Sequence, residues 1–175
     1  ERTRAQVMSL LQRETMSPND IASRNWWTTA FPDHPYGRPV HGTLESVPRI
    51  TVDDMKSYIR RALARNTIKL SIVGDIDAET AGRLIDRTFG TLPAKSELTP
   101  VPAIVPQGLG RRIVTQLDVP QAVVNFGGPG IGRSDPDFMA AYIVNHILGG
   151  GSFTSRLYRE VREKRGLAYG VHDHL

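Results

Sequence analysis

The sequence predicts an α+β fold built from two α/β units, each only partly present. Three observations carry that expectation. Helix-spaced apolar residues alternate with short runs of strand-like pattern. A stretch between Leu92 and Gly110, holding Pro93, Pro100, Pro102 and Pro106, interrupts the alternation. The chain also opens inside a helical pattern, with no initiator Met and no capping residue ahead of it, so it reads as a fragment from which any targeting signal would be missing.

The elements follow in order. From Arg2 to Glu14, Val7, Leu10 and Leu11 fall at helical spacing, and Ser17-Pro18 supplies a cap and a first-turn proline for a second helix to about Ala30. Phe31 to Gly42 is rich in Pro and Gly and reads as a loop, after which Thr51 caps a helix with acidic residues in its first turn. Ile68 to Val73 alternates as a strand, Gly74-Asp75 turns it, and Asp77 to Phe89 returns as a helix. Residues 93–110 are the linker. Beyond it Arg111 to Leu117 and Gln121 to Phe126 read as strands. Asp135-Pro136 starts a helix to about Leu148, and Gly149-Gly150-Gly151 ends it. Ser152 to Arg165 is a further helix with Phe153, Leu157 and Val161 as an apolar stripe, closed by Gly166 before the strand-like LAYGV.

Composition narrows the function classes. A chain of 175 residues with 39% apolar content can bury one good core or two modest ones. No run approaches the roughly 18 apolar residues of a membrane helix. With no Cys, disulfides and thiolate metal sites are excluded, while the compartment stays open between bacterial periplasm and cytoplasm. A net charge of +4 invites a nucleic-acid reading. Its densest basic cluster, Arg156, Arg159, Arg162, Lys164 and Arg165, is however interleaved with Glu160 and Glu163, which suits a solvated helix face better than a phosphate track.

Most candidate signatures yield to plainer readings. Gly128, Gly130 and Gly132 lack the G-x-G-x-x-G spacing, and Pro129 removes an amide that a phosphate would want, so a strand-to-helix turn is expected. His34 and His41 share a loop, and His172 and His174 alternate, but neither pair has an H-E-x-x-H or a nearby third ligand. No G-x-S-x-G is present. Trp26 and Trp27 read as core and boundary packing.

The informative stretch is LGGGSFTSRLYREVREKRGLAYGV, Leu148 to Val171: a Gly-rich break, then S-R-L, then R-E-x-R-G-L-A-Y. It resembles the start of the second homologous domain of pitrilysin (insulinase) zinc peptidases, the group that includes mitochondrial processing peptidase and cytochrome reductase core proteins. ASRNWWTTAFPDHPYGRPVHGTLESV is similar to that family's loop and helix downstream of the zinc site, and IKLSIVGDID to the last strand of its first domain. The resemblance implies two homologous α/β sandwich domains: 1–92 as the C-terminal half of the first, 93–110 as linker, and 111–175 as the N-terminal half of the second. It also implies that Arg162 and Tyr169, seven residues apart, point at substrate bound on the zinc of the other domain. An Arg fork and a phenolic hydroxyl can hold a peptide carbonyl and stabilise the oxyanion developing on it. In isolation the same pair would read as a surface Arg and a half-buried strand Tyr.

At the zinc site the sequence departs from the family. The inverted H-x-x-E-H would lie upstream of Glu1, but the distal Glu ligand should sit about eight residues before the Pro that starts the next helix. That slot is Leu10, flanked by Ser9, and the accompanying Glu falls near Thr3. Taking Glu1 as that residue puts Met8 in the ligand slot, and Glu14 lies too close to Pro18.

The expectation is therefore a non-catalytic subunit of a heterodimeric zinc peptidase. It binds no metal itself, grips extended peptides through Arg162 and Tyr169, and works with a homologous partner that supplies Zn2+. The fragment, with exposed sheet edges, is expected to self-associate. Three alternatives stay open: an active zinc metalloendopeptidase whose zinc site lies upstream, an inert structural core subunit, and a basic nucleic-acid module that would show salt-sensitive DNA binding in a gel shift.

Overall fold

The computed structural model describes residues 1–175, which divide into two compact units, Glu1–Phe126 and Gly127–Leu175. In the first unit helices α1 (Arg2–Glu14) and α2 (Pro18–Ala30) stand where the apolar spacing expects them. Ser17 caps α2 by accepting the Asp20 N–H at 3.4 Å, and Pro18 occupies the first turn, where a missing N–H costs nothing. Helix α3 (Val52–Ala62) starts with a reciprocal capping box: Thr51 accepts the Asp54 N–H at 3.1 Å and Asp54 accepts the Thr51 N–H at 2.8 Å. The Thr51 hydroxyl also donates to the Asp54 carboxylate at 2.7 Å, and this bond first and the one from the Thr51 amide second hold the Asp54 carboxyl below its ordinary value. Asp53 and Asp54 at its start and Arg60 and Arg61 at its end oppose the helix dipole. Helix α4 (Ala78–Phe89) is capped by Asp77, which accepts the Thr80 N–H at 2.8 Å.

The apolar core of this unit is Leu11, Ala30, Phe31, Val47 and Ala64. Phe31 gathers the aromatic residues: Trp27 stacks on it at 5.4 Å, while Trp26 and Tyr36 meet it edge-on at 6.2 and 5.6 Å. Both tryptophans thus act in packing, as their sequence position suggests. The Pro-rich stretch lies along the same unit. The Arg65 N–H donates to Pro93 O, Glu97 N–H to Arg61 O and Gln107 N–H to Ala30 O, at 2.9, 2.8 and 2.7 Å.

The strand expectations need correction. No β-ladder forms in the chain, and Ile68–Val73, Arg111–Leu117, Gln121–Phe126 and the LAYGV segment run without paired neighbours. A strand is defined by a neighbouring backbone that takes its N–H and C=O groups, and these segments find none. Their side chains are accordingly open, Val73 being 98% and Phe126 79% exposed.

The second unit holds α5 (Phe138–Asn145), a π-helical turn at His146–Gly150, a 3-10 turn at Ser152–Thr154 and a second π-helical segment at Tyr158–Glu163. Helix α5 begins at Phe138 instead of Asp135, because the Asp135 carboxylate accepts the Asp137 N–H at 2.9 Å and holds a turn there. The regular helix expected over Ser152–Arg165 is broken into a 3-10 start and a wide π segment. The buried residues of this stretch are Ser155 and Tyr158, not the stripe of Phe153, Leu157 and Val161.

Candidate functional site

The π segment Tyr158–Glu163 and the chain that follows it carry the candidate site. Gly166 ends the helix at φ +61°, a left-handed conformation that glycine adopts without steric cost. Its N–H donates to Arg162 O at 2.9 Å, and the Leu167 N–H reaches back to Val161 O at 3.0 Å. This closure folds the chain back on the helix and brings Tyr169 to Arg162. The Arg162 Cζ lies 4.6 Å from the centre of the Tyr169 ring and 4.8 Å from that of Tyr158. The two residues singled out by the sequence are therefore neighbours. Tyr158 is a third member that sequence reasoning missed, although its position four residues before Arg162, on the same helix face, was a usable signal.

The neighbouring charges are segregated from Arg162. Glu160 receives Lys164 at 2.8 Å, Arg165 at 3.1 Å and Arg159 at 3.5 Å. Hydrogen bonds from Lys164 and then Arg165 lower its pKa to about 2. A depressed carboxylate contributes stability above its ordinary pKa and loses it as pH falls through the folded value, so this exposed network persists down to strongly acidic pH. Arg162 takes no part in it. A guanidinium over ring faces keeps its in-plane N–H donors available, and Tyr169, 84% exposed, presents its hydroxyl to solvent. Together they offer donors of the kind that bind a carbonyl oxygen or an oxyanion.

The other candidates separate from this site. The His34 Nδ1 accepts the Tyr36 N–H at 3.2 Å and its Nε2 lies 3.1 Å from Pro102 O. A carbonyl can only accept, so Nε2 carries the proton and both ring nitrogens are engaged, which makes His34 a structural tie. His41 Nδ1 meets the largely buried Glu14 carboxylate at 2.8 Å. His172 and His174 stand with ring centres 5.1 Å apart.

Zinc is the metal that the family resemblance implies. Zinc requires three or more N, O or S ligands converging on one point. The position on α1 where the resemblance implies a ligand holds Leu10, beside Leu11 of the core, and the nearby Glu14 carboxylate is paired with His41. No three His, Cys, Asp or Glu side chains converge anywhere in the chain. The donor set does not fit zinc.

Residues 49–172 match the family described as peptidase M16 inactive domain. The chain is 34% identical over 163 residues to an uncharacterized zinc protease of Streptomyces coelicolor, a match covering 90% of this chain and 35% of that protein. It is 33% identical over 169 residues to an uncharacterized zinc protease of Mycobacterium leprae, covering 90% and 36%. Among solved structures it is similar to the crystal structure of a peptidase M16 inactive domain from Pseudomonas fluorescens. That match has a TM-score of 0.75 at 27% identity, over 98% of this chain and 41% of the other. The chain thus spans little more than a third of the length of these curated relatives.

Proposed function

This chain belongs to the pitrilysin-type peptidase M16 family, matched along its inactive domain, and from that premise we propose that it acts in a zinc metallopeptidase as a non-catalytic, peptide-gripping part. The observation that carries the proposal is the placement of Arg162 beside Tyr169 and outside the Glu160 ion network. Arg162 donates to a carbonyl of an extended peptide, and the Tyr169 hydroxyl donates to the oxygen on which charge develops. A homologous partner supplies Zn2+. The apolar donor slot at Leu10 supports this division of labour.

The same reading gives the unpaired apolar segments a place. Residues 1–92 are the end of one α/β sandwich, 93–110 the linker and 111–175 the start of the next. Ile68–Val73, Arg111–Leu117 and Gln121–Phe126 are strands that join sheets when their neighbours are present. The isolated chain, with those edges open, is expected to self-associate, and a strictly monomeric species in sedimentation would count against the assignment.

A second reading, an active zinc peptidase, is favoured by the relatives named zinc proteases. Metal analysis of the full-length protein separates the two. Purified without a partner and dialysed, it is expected to retain less than stoichiometric zinc and to cleave no peptide. Equimolar zinc accompanied by cleavage would overturn the partner-subunit proposal.

A further inference from the structure

We infer that Tyr158 is a positioning residue for Arg162: its buried ring is the fixed face against which the guanidinium is held. The inference rests on the peptide-gripping reading of Arg162 and Tyr169. Of the two rings flanking Arg162, that of Tyr169 is 84% exposed and cannot anchor anything, whereas Tyr158 is 9% exposed. Tyr158 is itself held from two sides. Phe153 meets its ring at 5.0 Å and 82°, and the Tyr158 N–H donates at 3.3 Å to the hydroxyl of Ser155, which is 1% exposed.

The helix geometry makes this contact possible. Tyr158 and Arg162 both lie in the wide π segment, where the Lys164 N–H reaches Arg159 O at 3.0 Å. Such widenings redirect side chains and recur at functional sites. Arg162 lies 4.8 Å from the Tyr158 ring centre, a separation at which the ring quadrupole attracts a cation. Held against a ring that is itself buried, the guanidinium loses part of its rotational freedom, so its N–H groups are partly oriented before a substrate arrives. An oriented donor of this kind is worth more in the transition state than one that must be ordered during the reaction.

The attraction needs a ring face and not the phenol hydroxyl, so Tyr158→Phe is expected to keep the function and Tyr158→Leu to lose it. Two measurements test this in full-length protein labelled with 15N-arginine and reconstituted with its zinc-bearing partner. The first is the Arg162 Nε–H resonance, expected to show an upfield ring-current shift in the wild type and in Tyr158→Phe, and in Tyr158→Leu to lose the share contributed by the Tyr158 ring while keeping that of Tyr169. The second is peptidase activity: Tyr158→Leu is expected to lower kcat about tenfold with little change in KM, the worth of a partly desolvated cation–π contact. That loss should vanish in an Arg162→Ala background. An unshifted resonance, a tenfold loss in Tyr158→Phe, or a Tyr158→Leu effect that adds in full to Arg162→Ala would overturn the inference. Wild-type activity in Arg162→Ala would instead overturn the gripping role on which it rests, whatever the resonance shows. Should Tyr158→Leu fail to fold, the Tyr158→Phe arm still decides, since it requires both the shift and the activity to survive.

Discussion

Arg162→Ala and Tyr169→Phe are each expected to lower kcat/KM at least about tenfold in the complex reconstituted with the zinc-bearing partner, and as much as about 100- to 1000-fold if each is a full oxyanion donor. The loss should fall mainly on kcat, because donors to a developing charge act chiefly in the transition state. Stability is a separate matter. Tyr169 is 84% exposed, so removing its hydroxyl should change folding by no more than about 0.5 kcal/mol. Arg162 lies outside the Glu160 network, so its loss leaves the ion pairs of that helix in place. Assembly with the partner should survive both changes and is checked by size-exclusion chromatography on the same samples. Unaltered peptidase activity in both variants would mean that the pair is only structural and would shift the reading to an inert core subunit.

In the first unit, Gly37→Ala is expected to destabilise by about 1–3 kcal/mol, through a clash with backbone that no side-chain motion can relieve. A Cβ at Gly37 would run into the carbonyl oxygen of Phe31 and lie 3.1 Å from its carbonyl carbon and 3.4 Å from Trp27 O. That approach is fixed from both sides: the Gly37 N–H donates to His34 O at 3.0 Å, and Phe31 is buried among Trp26, Trp27 and Tyr36. Relief would mean withdrawing the loop from the end of α2 and loosening the hold of His34 on Pro102 O. For a chain of this size each kcal/mol moves the melting temperature by about 2–4 °C, so thermal denaturation followed by circular dichroism resolves the effect. A melting temperature within about 1 °C of the wild type would show that the loop can yield.

The sequence by itself determined the local features. Ser17-Pro18, Thr51 and Asp77 set the starts of α2, α3 and α4, because a cap is a contact with an amide two or three residues away and needs nothing more distant. Gly166 likewise announced the turn that brings Tyr169 to Arg162, since a left-handed helix end is a local conformation. That Leu10 stands where the resemblance implies a carboxylate is likewise a reading of residue type alone. Tertiary structure decided what depends on distant partners. The alternating runs at Ile68–Val73 and Gln121–Phe126 carry strand character in their composition, yet a ladder needs a second backbone, and no pattern within one segment can supply it. The sequence argued against a metal role for His34 but gave it no other, and its part as a tie came from Pro102, 68 residues away, whose carbonyl meets Nε2. The π widening at Tyr158–Glu163 belongs with these, because regular apolar spacing pointed to Phe153, Leu157 and Val161 while packing buried Tyr158 and laid Arg162 against its ring. Propensity and capping act over one turn of chain, whereas burial and pairing are settled by what the rest of the molecule brings to the same place.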